Sequence, residues 1–323
     1  MHIFRQLEEV PYDFGATVLS VGNFDGVHLA HRAVLEQVVG RARELNAKSM
    51  VVTFEPHPMR ILRPDVAPRM LTPLPLKLRL LEQAGLDAVL VLPFTRDLSL
   101  TSARDFAAGI VRGRLRGREI HEGFNFHFGH RAEGNIERLG DFGRELGFEV
   151  KVYPEMKVRG DVVSSSRIRE LIRNGRIARA ARLLGRTFSI VASPGRGRGY
   201  GHKYTVPTIN LARYEEMVPG HGVYVTRTRV GGETFESVTN VGNRPTFGTD
   251  SFAIESHLLN FHPIDVTADT EMEIAFLHRL RPEMKFPSVE ALREQIAQDV
   301  KRTRRYFHLT GRAQAQKRKG AEK

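Results

Sequence analysis

Three short runs in the first half of the chain are rich in apolar residues and do not alternate strictly with polar ones: ATVLSVGNF at 16–24, SMVVTFEP at 49–56 and DAVLVLPF at 87–94. A strand that exposes one face to water alternates polar and apolar residues, whereas a strand covered on both faces does not. Between these runs lie longer segments of helical period. In HRAVLEQVVGRAREL, Ala33, Val34, Val38, Ala42 and Leu45 approximate one helical face, and PLPLKLRLLEQAG and ARDFAAGIVRGRL continue the alternation. REIHEGF and GFEVKVYPEM add two further strands. This pattern predicts a mostly parallel sheet with helices on both faces, which binds ligands beyond the carboxyl ends of its strands.

SSSRIRELIRNGRIARAARLLG closes the first half as two short basic helices, and after Gly185 the pattern changes. FSIVA, GVYVTRTRV, TFESVTNVG, AIESHLLNF and EMEIAFLH are shorter, more alternating runs separated by Gly, Pro, Asn or Asp. They predict a small antiparallel barrel or sandwich. Val289, Leu292, Ile296 and Val300 form an apolar stripe on a terminal helix expected to pack against it. The expected domains are therefore 1–184 and 185–307, followed by a basic tail at 308–323 that lacks an apolar period and is expected to be disordered.

Charge and composition narrow the function. The net charge is +12, but Lys301–Lys323 alone holds nine Lys or Arg against one Glu. The modest remainder suits polyanionic phosphate substrates better than an obligatory nucleic-acid partner. There is no Cys, which excludes disulfides, thiolate zinc sites and Cys nucleophiles, and suits a reducing, cytoplasmic setting. The N-terminal segment does not resemble a secretory signal, and no run approaches the ~20 apolar residues of a membrane span. No membrane partner is expected.

The first chemical cluster is VGNFDGVHLAHRAVL, where a strand turns into a helix. Gly22 and Gly26 permit a tight turn, and His28 and His31 lie at i and i+3 where the helix begins. Unpaired helix N–H groups and two imidazoles could together receive a phosphate. Taken alone, the same spacing fits His28 as a cap and His31 as a satisfied surface residue. It fits neither a Walker A loop nor GxGxxG, and it lacks the Glu and third ligand of a metallohydrolase.

VGNFDGVHLAH resembles the signature of the HxGH nucleotidyltransferases. With TFEPHP (53–58), Leu71–Thr72, GFNFHFG (123–129) and VSSSRIR (163–169), it is similar in order and spacing to the bacterial bifunctional riboflavin kinase/FMN adenylyltransferase family, from about Val18 to Phe307. The resemblance implies a Rossmann-like nucleotidyltransferase domain, then a riboflavin kinase barrel with a C-terminal helix. It implies conversion of riboflavin to FMN and of FMN to FAD with ATP and Mg2+. Separately, a monomer with weak self-association is expected, although sequence leaves the oligomeric state open.

Position by position, the resemblance implies that His28 and His31 contact the ATP phosphates, beside Gly22. Asn23 and Asp25 shape the nucleotide pocket, while Ser165, Ser166 and Arg169 grip the phosphates from the opposite side. Phe54, Pro56, His57, Pro58 and Asn125 line the flavin side. Ala30 stands where the family usually has Gly, and Ser166 where it has Thr; neither change removes a charge or a donor.

In the second half, VPTINL (206–211) resembles the family's PTAN signature, implying that Thr208 and Asn210 organise the magnesium nucleotide. VTNVGNRPTFG (238–248), IESHLLNF (254–261) and LRPEMKF (280–286) match further family blocks in order. Glu255 is the expected general base, because the riboflavin hydroxyl must lose a proton as it attacks. In ASPGRGRGYGHKYTVPT (192–208), Gly197, Gly199 and Gly201 persist as a phosphate-covering flap. Ala192, His202 and Thr205 replace the usual Gly, Arg and Gly there, so kinase activity is expected to survive, weakened or with altered nucleotide affinity.

Overall fold

The computed structural model describes residues 1–195, 208–212, 214–243, 252–262 and 269–321. The chain forms two compact units, 1–167 and 168–323.

The first unit is built on six strands: β1 (His2–Phe4), β2 (Thr17–Val21), β3 (Lys48–Glu55), β4 (Ala88–Pro93), β5 (Gly117–Gly123) and β6 (Glu149–Tyr153). Their order is β1-β4-β3-β2-β5-β6, and every neighbouring pair is parallel. The chain runs from β2 outward through β3 to β4, then returns to the far side of β2 for β5 and β6. The reversal point therefore lies between β2 and β5, where such sheets place their ligands.

Each face of this sheet carries its own core. On one face, Val18, Val51 and Val89 meet α1 (Leu29–Glu44) and Leu81 of α3 (Leu74–Gln83), α2 being Pro58–Leu62 between them. The buried face of α1 is Leu35, Val38, Val39 and Ala42, with Val34 and Leu45 at its flank. On the other face, Leu19, Val21 and Ile120 meet Phe106, Ala107 and Val111, and Leu139 of α5 (Ile136–Leu146). The expected helix at 103–115 begins as α4 (Ala103–Asp105) but continues as a π-helix from Phe106 to Arg114. Helix α5, between the Asn135 cap and left-handed Gly147, adds to the expected elements, as do β1 and α2.

A short hairpin, β7 (Lys157–Val158) with β8 (Asp161–Val162), precedes α6 (Ser165–Arg173) and α7 (Ile177–Leu184). The compact-unit division falls inside α6, earlier than the change of strand pattern after Gly185. The reason is packing: α7 lies against β9 (Phe188–Ala192) and β14 (Met272–Arg281). Gly220 N–H donates to Ile172 O at 3.1 Å, so close that a Cβ on Gly220 would collide with Arg173 O.

The second unit adds β10 (Thr208–Asn210), β11 (Gly222–Val230), β12 (Glu233–Asn243) and β13 (Phe252–Leu258). The antiparallel order is β10-β13-β12-β11-β14-β9. The outer strands are joined just past their ends by Gly195 N–H to Asn210 O, 2.7 Å, and Ala212 N–H to Ser193 O, 3.0 Å. The sheet thus curls into a barrel rather than a flat sandwich layer. Its interior holds Phe188, Tyr224, Ile274 and Phe276 beside five buried hydroxyls, those of Thr226, Thr228, Ser237, Thr239 and Ser256, bonded to one another at 2.6–3.1 Å.

The terminal helix α8 (Val289–Ala321) departs from expectation in the face it buries. Val300 packs with Val223, Val238 and Leu259, and Phe307 is buried, but Leu292 and Ile296 are 39 % and 43 % exposed, and Val289 is exposed too. A polar lock explains the shift: Asp299 is buried and accepts from Arg281 Nε at 2.9 Å and from Gln295 Nε2 at 3.0 Å. The helix also runs on to Ala321, through the basic segment. Its Ala, Gln, Lys and Arg residues favour helix without needing an apolar stripe.

Candidate active site

At the end of β2 the backbone enters a strained turn. Phe24 has φ +46°, Gly26 +94° and Val27 +37°, the last an unusual value for a β-branched residue. Burial of Phe24 and Val27 among Val18, Leu35 and Val38 holds the turn in place. Its effect is to start α1 immediately, with His28 as the N-cap.

His28 Nδ1 accepts the His31 N–H at 3.3 Å. A neutral imidazole that accepts at Nδ1 carries its proton on Nε2, so Nε2–H is the donor this ring can offer a ligand. The His31 ring stacks on it, centroids 3.6 Å apart and planes inclined by 14°. The capping geometry and the phosphate-donor geometry are therefore compatible rather than exclusive.

A hydrogen-bonded frame fixes the turn from behind. Asp25 is buried and accepts from Leu71 N at 3.1 Å, Thr72 N at 3.0 Å and Thr72 Oγ1 at 3.2 Å. Thr72 Oγ1 accepts from Gly26 N at 2.9 Å, and Ser165 Oγ donates to Asp25 O at 2.7 Å. The dipeptide Leu71–Thr72 thus serves as the clamp for Asp25, which its sequence alone does not reveal. Asn23 is held through its carbonyl, which accepts from Thr53 Oγ1 at 3.2 Å, while its buried Oδ1 has no hydrogen-bond partner among the described residues.

Lys77 is a further member that the sequence reading missed. It is 1 % exposed and donates from Nζ to Thr53 Oγ1 at 3.3 Å. Burial pushes its ammonium below the usual range, against the pull of Asp25 and Glu55. The available signal was a lysine on the same helical face as buried Leu81.

The remaining predicted residues of the first half occupy several places. Half-buried Phe54 stacks edge-on against Phe94 at 5.7 Å, and buried His57 caps α2 by accepting Met59 N–H at 3.2 Å, ahead of Pro58. The Glu55–Pro56 bond is cis. Asn125 is exposed in the turn after β5. Ser166 is exposed on α6 and Arg169, on the same helix, is buried. Gly22 follows β2 directly, bonded from its N–H to Val52 O at 2.9 Å.

In the second unit, register assembles the predicted residues. Glu255 on β13 pairs with Asn210 on β10 on one side and with Asn240 on β12 on the other. Side chains alternate across a sheet. With Ser256 and Thr239 inside, the outer face receives Glu255, Asn210 and Asn240, together with Thr208 and His257 one step along. Asn240 and His257 were not singled out from sequence. Burial, then the nearby Arg304, lowers the His257 imidazole below its usual range. Gly197, Gly199 and Gly201, with His202 and Thr205, lie outside the described residues. Among the described residues no group of three His, Asp or Glu side chains is arranged to hold a metal.

A parallel sheet with a histidine-bearing helix start at its reversal point, followed by an antiparallel barrel carrying a Thr, Asn and Glu face, defines a two-module nucleotide-dependent transferase. Comparison with known proteins agrees in both halves. The sequence model of the FAD synthetase family matches residues 11–167, and that of riboflavin kinase matches 184–307. The chain belongs to the bifunctional riboflavin kinase/FMN adenylyltransferase family. It is 33% identical to the enzyme so named in Escherichia coli (strain K12) over 95% of this chain and 97% of that protein. It is 34% identical to the one from Pseudomonas fluorescens over 93% and 96%. A crystal structure titled macrolide-efflux protein from Streptococcus pneumoniae shares the fold, with a TM-score of 0.83 at 24% identity, covering 94% of this chain and 98% of that one. Among the described residues no helix of the present chain is long and apolar enough to cross a membrane.

Proposed function

We infer that the family's two activities are divided between the two halves of this chain. The second phosphorylates riboflavin to FMN with ATP, and the first adenylylates FMN to FAD with release of pyrophosphate. The functional modules are assigned to 1–184 and 185–307, the break following the change in strand pattern.

The observation that carries the adenylyltransferase reading is the stacked His28–His31 pair at the start of α1, on a turn clamped through Asp25. An FMN phosphate oxygen is already anionic near neutral pH, so no strong base is needed. It attacks the α-phosphorus of ATP, a new P–O bond forms, and the bond to the β-phosphate oxygen breaks. His28, His31, the amides at the α1 start, Ser165, Ser166 and Arg169 would balance the charge on the phosphates as pyrophosphate departs. Gly22, Asn23 and Asp25 would shape the nucleotide pocket, and Phe54, Pro56, His57, Pro58 and Asn125 the flavin side.

In the barrel, Glu255 would accept the proton of the riboflavin hydroxyl as its oxygen attacks the γ-phosphorus and ADP leaves. Thr208 and Asn210 offer oxygen ligands beside it, which fits Mg2+, a cation bound largely through substrate phosphates and water. Mg2+ bound there with ATP would neutralise phosphate charge. Gly197, Gly199 and Gly201 would close over the nucleotide. The partners are small molecules, with no obligatory nucleic acid or membrane. A cytoplasmic monomer apart from weak self-association completes the reading, which the absence of Cys suits.

Purified chain given riboflavin, ATP and Mg2+, with FMN and FAD separated by chromatography, tests this division. His28→Ala is expected to lower FAD formation from FMN by about 10²–10³-fold, leaving FMN formation intact. Glu255→Ala is expected to lower FMN formation by about 10²–10⁴-fold, leaving FAD formation intact. Reversal, or equal loss of both activities in both variants, refutes it.

A further inference from the structure

The ladder between β2 and β5 stops early. Parallel pairing joins Thr17 to Gly117 and ends at Leu19 with Ile120, although β2 continues beside β3 to Val21 and β5 continues beside β6 to Gly123. Ser20 and Val21 therefore face His121, Glu122 and Gly123 across an opening at the reversal point of the sheet.

Glu122 occupies that opening. It is 4 % exposed, and its Oε1 accepts the Val21 N–H at 2.6 Å and the Ser20 hydroxyl at 3.4 Å. A side-chain carboxyl thus takes the place of the strand carbonyl that the interrupted ladder would have supplied. Val21 is followed at once by Gly22, Asn23 and the clamped Asp25. Glu122 is followed by Gly123 and Asn125, whose Oδ1 would lie 3.3 Å from a Cβ placed on Gly123. One side chain therefore ties together the two turns that carry the nucleotide-side and flavin-side residues.

We propose that Glu122 is a positioning residue for FMN adenylylation, its carboxyl bridging the parted ends of β2 and β5 and setting the distance between the Gly22–His28 turn and the Gly123–Asn125 turn. The inference rests on the first module being the adenylyltransferase. A carbonyl-type oxygen at this place is what the bridge requires, so Gln suffices and Ala does not. Asp, one methylene shorter, cannot reach Val21 N–H without moving the strands.

The test uses the full chain. Parent, Glu122→Gln, Glu122→Ala and Glu122→Asp are compared for kcat and KM with FMN and with ATP, well below their melting temperatures. FMN formation from riboflavin is followed in the same preparations. Expected is a loss of about tenfold or more in kcat/KM for FAD formation in the Ala and Asp variants, with a raised KM for FMN. Gln should stay within about threefold of the parent, and FMN formation should be unchanged in all four. A purely structural role would lower the melting temperature while leaving KM and kcat per folded molecule alone. Ala and Asp within twofold of the parent, or Gln as impaired as Ala, overturns the proposal. Should Ala fail to fold, the contrast of Gln with Asp decides. Failure of the adenylyltransferase reading itself is distinguishable, because the parent chain would then make no FAD from FMN.

Discussion

Glu122 also has a thermodynamic signature. Burial raises its carboxyl well above the usual range, only partly opposed by the Val21 N–H and the Ser20 hydroxyl. Below about pH 4, near the unfolded value, folded and unfolded forms are both protonated and its contribution is fully present. As pH rises, the unfolded chain ionises first, so that contribution is progressively lost until pH passes the folded value. Glu122→Gln, which cannot ionise, is expected to melt close to the parent at about pH 4 and increasingly above it towards neutral and mildly alkaline pH. Melting curves across that range check this, and a difference that does not change with pH contradicts it. His28 and His31 were legible as a chemical cluster because they lie at i and i+3 where a strand turns into a helix, and Asp25 entered only through the family resemblance. Thr72, Lys77 and Glu122 act on the same turn from other elements. Their types alone, a threonine, a helix lysine and a strand glutamate, carry no mark of the residue they will touch.

At the level of elements, what was readable depended on how local the cause was. Strands β2, β3 and β4 declared themselves by apolar-rich runs that do not alternate strictly with polar residues, and α5 had signals available in Asn135 and Gly147 at its ends. The π-helical turn from Phe106 to Arg114 was not readable, because helical periodicity does not separate the two windings over so short a span. Helix α8 shows the limit most clearly. Its stripe of Val289, Leu292, Ile296 and Val300 is real in sequence, but the Asp299–Arg281 pair sets which side meets the barrel. Leu292→Ala or Ile296→Ala is expected to cost about 1 kcal/mol or less, whereas Phe307→Ala, at a site 6 % exposed, should cost about 3–5 kcal/mol. Chemical denaturation of the three variants measures this, and equal costs would mean that the stripe is buried in solution.

For the whole molecule, the proposed chemistry makes FMN the product of one module and the substrate of the other. A mixture of Glu255→Ala and His28→Ala chains is therefore expected to turn riboflavin into FAD, which neither does alone, through FMN released into solution. A time course of the mixture should show FMN accumulating before FAD; no FAD from the mixture, with each surviving activity verified separately, contradicts exchange through solution. The sequence by itself determined the two architectures and the residue types available for catalysis, because apolar periodicity, turn residues and motif spacing are local properties of the chain. Tertiary structure alone decided that β2 and β5 part at the reversal point, that Glu122 fills the gap, that Lys77 stands behind Asp25, and that Asn240 joins Asn210 and Glu255. The strand contacts depend on strand order and register, and that of Lys77 on how α3 packs against the sheet; both bring together residues far apart along the chain and are set when a buried face is packed.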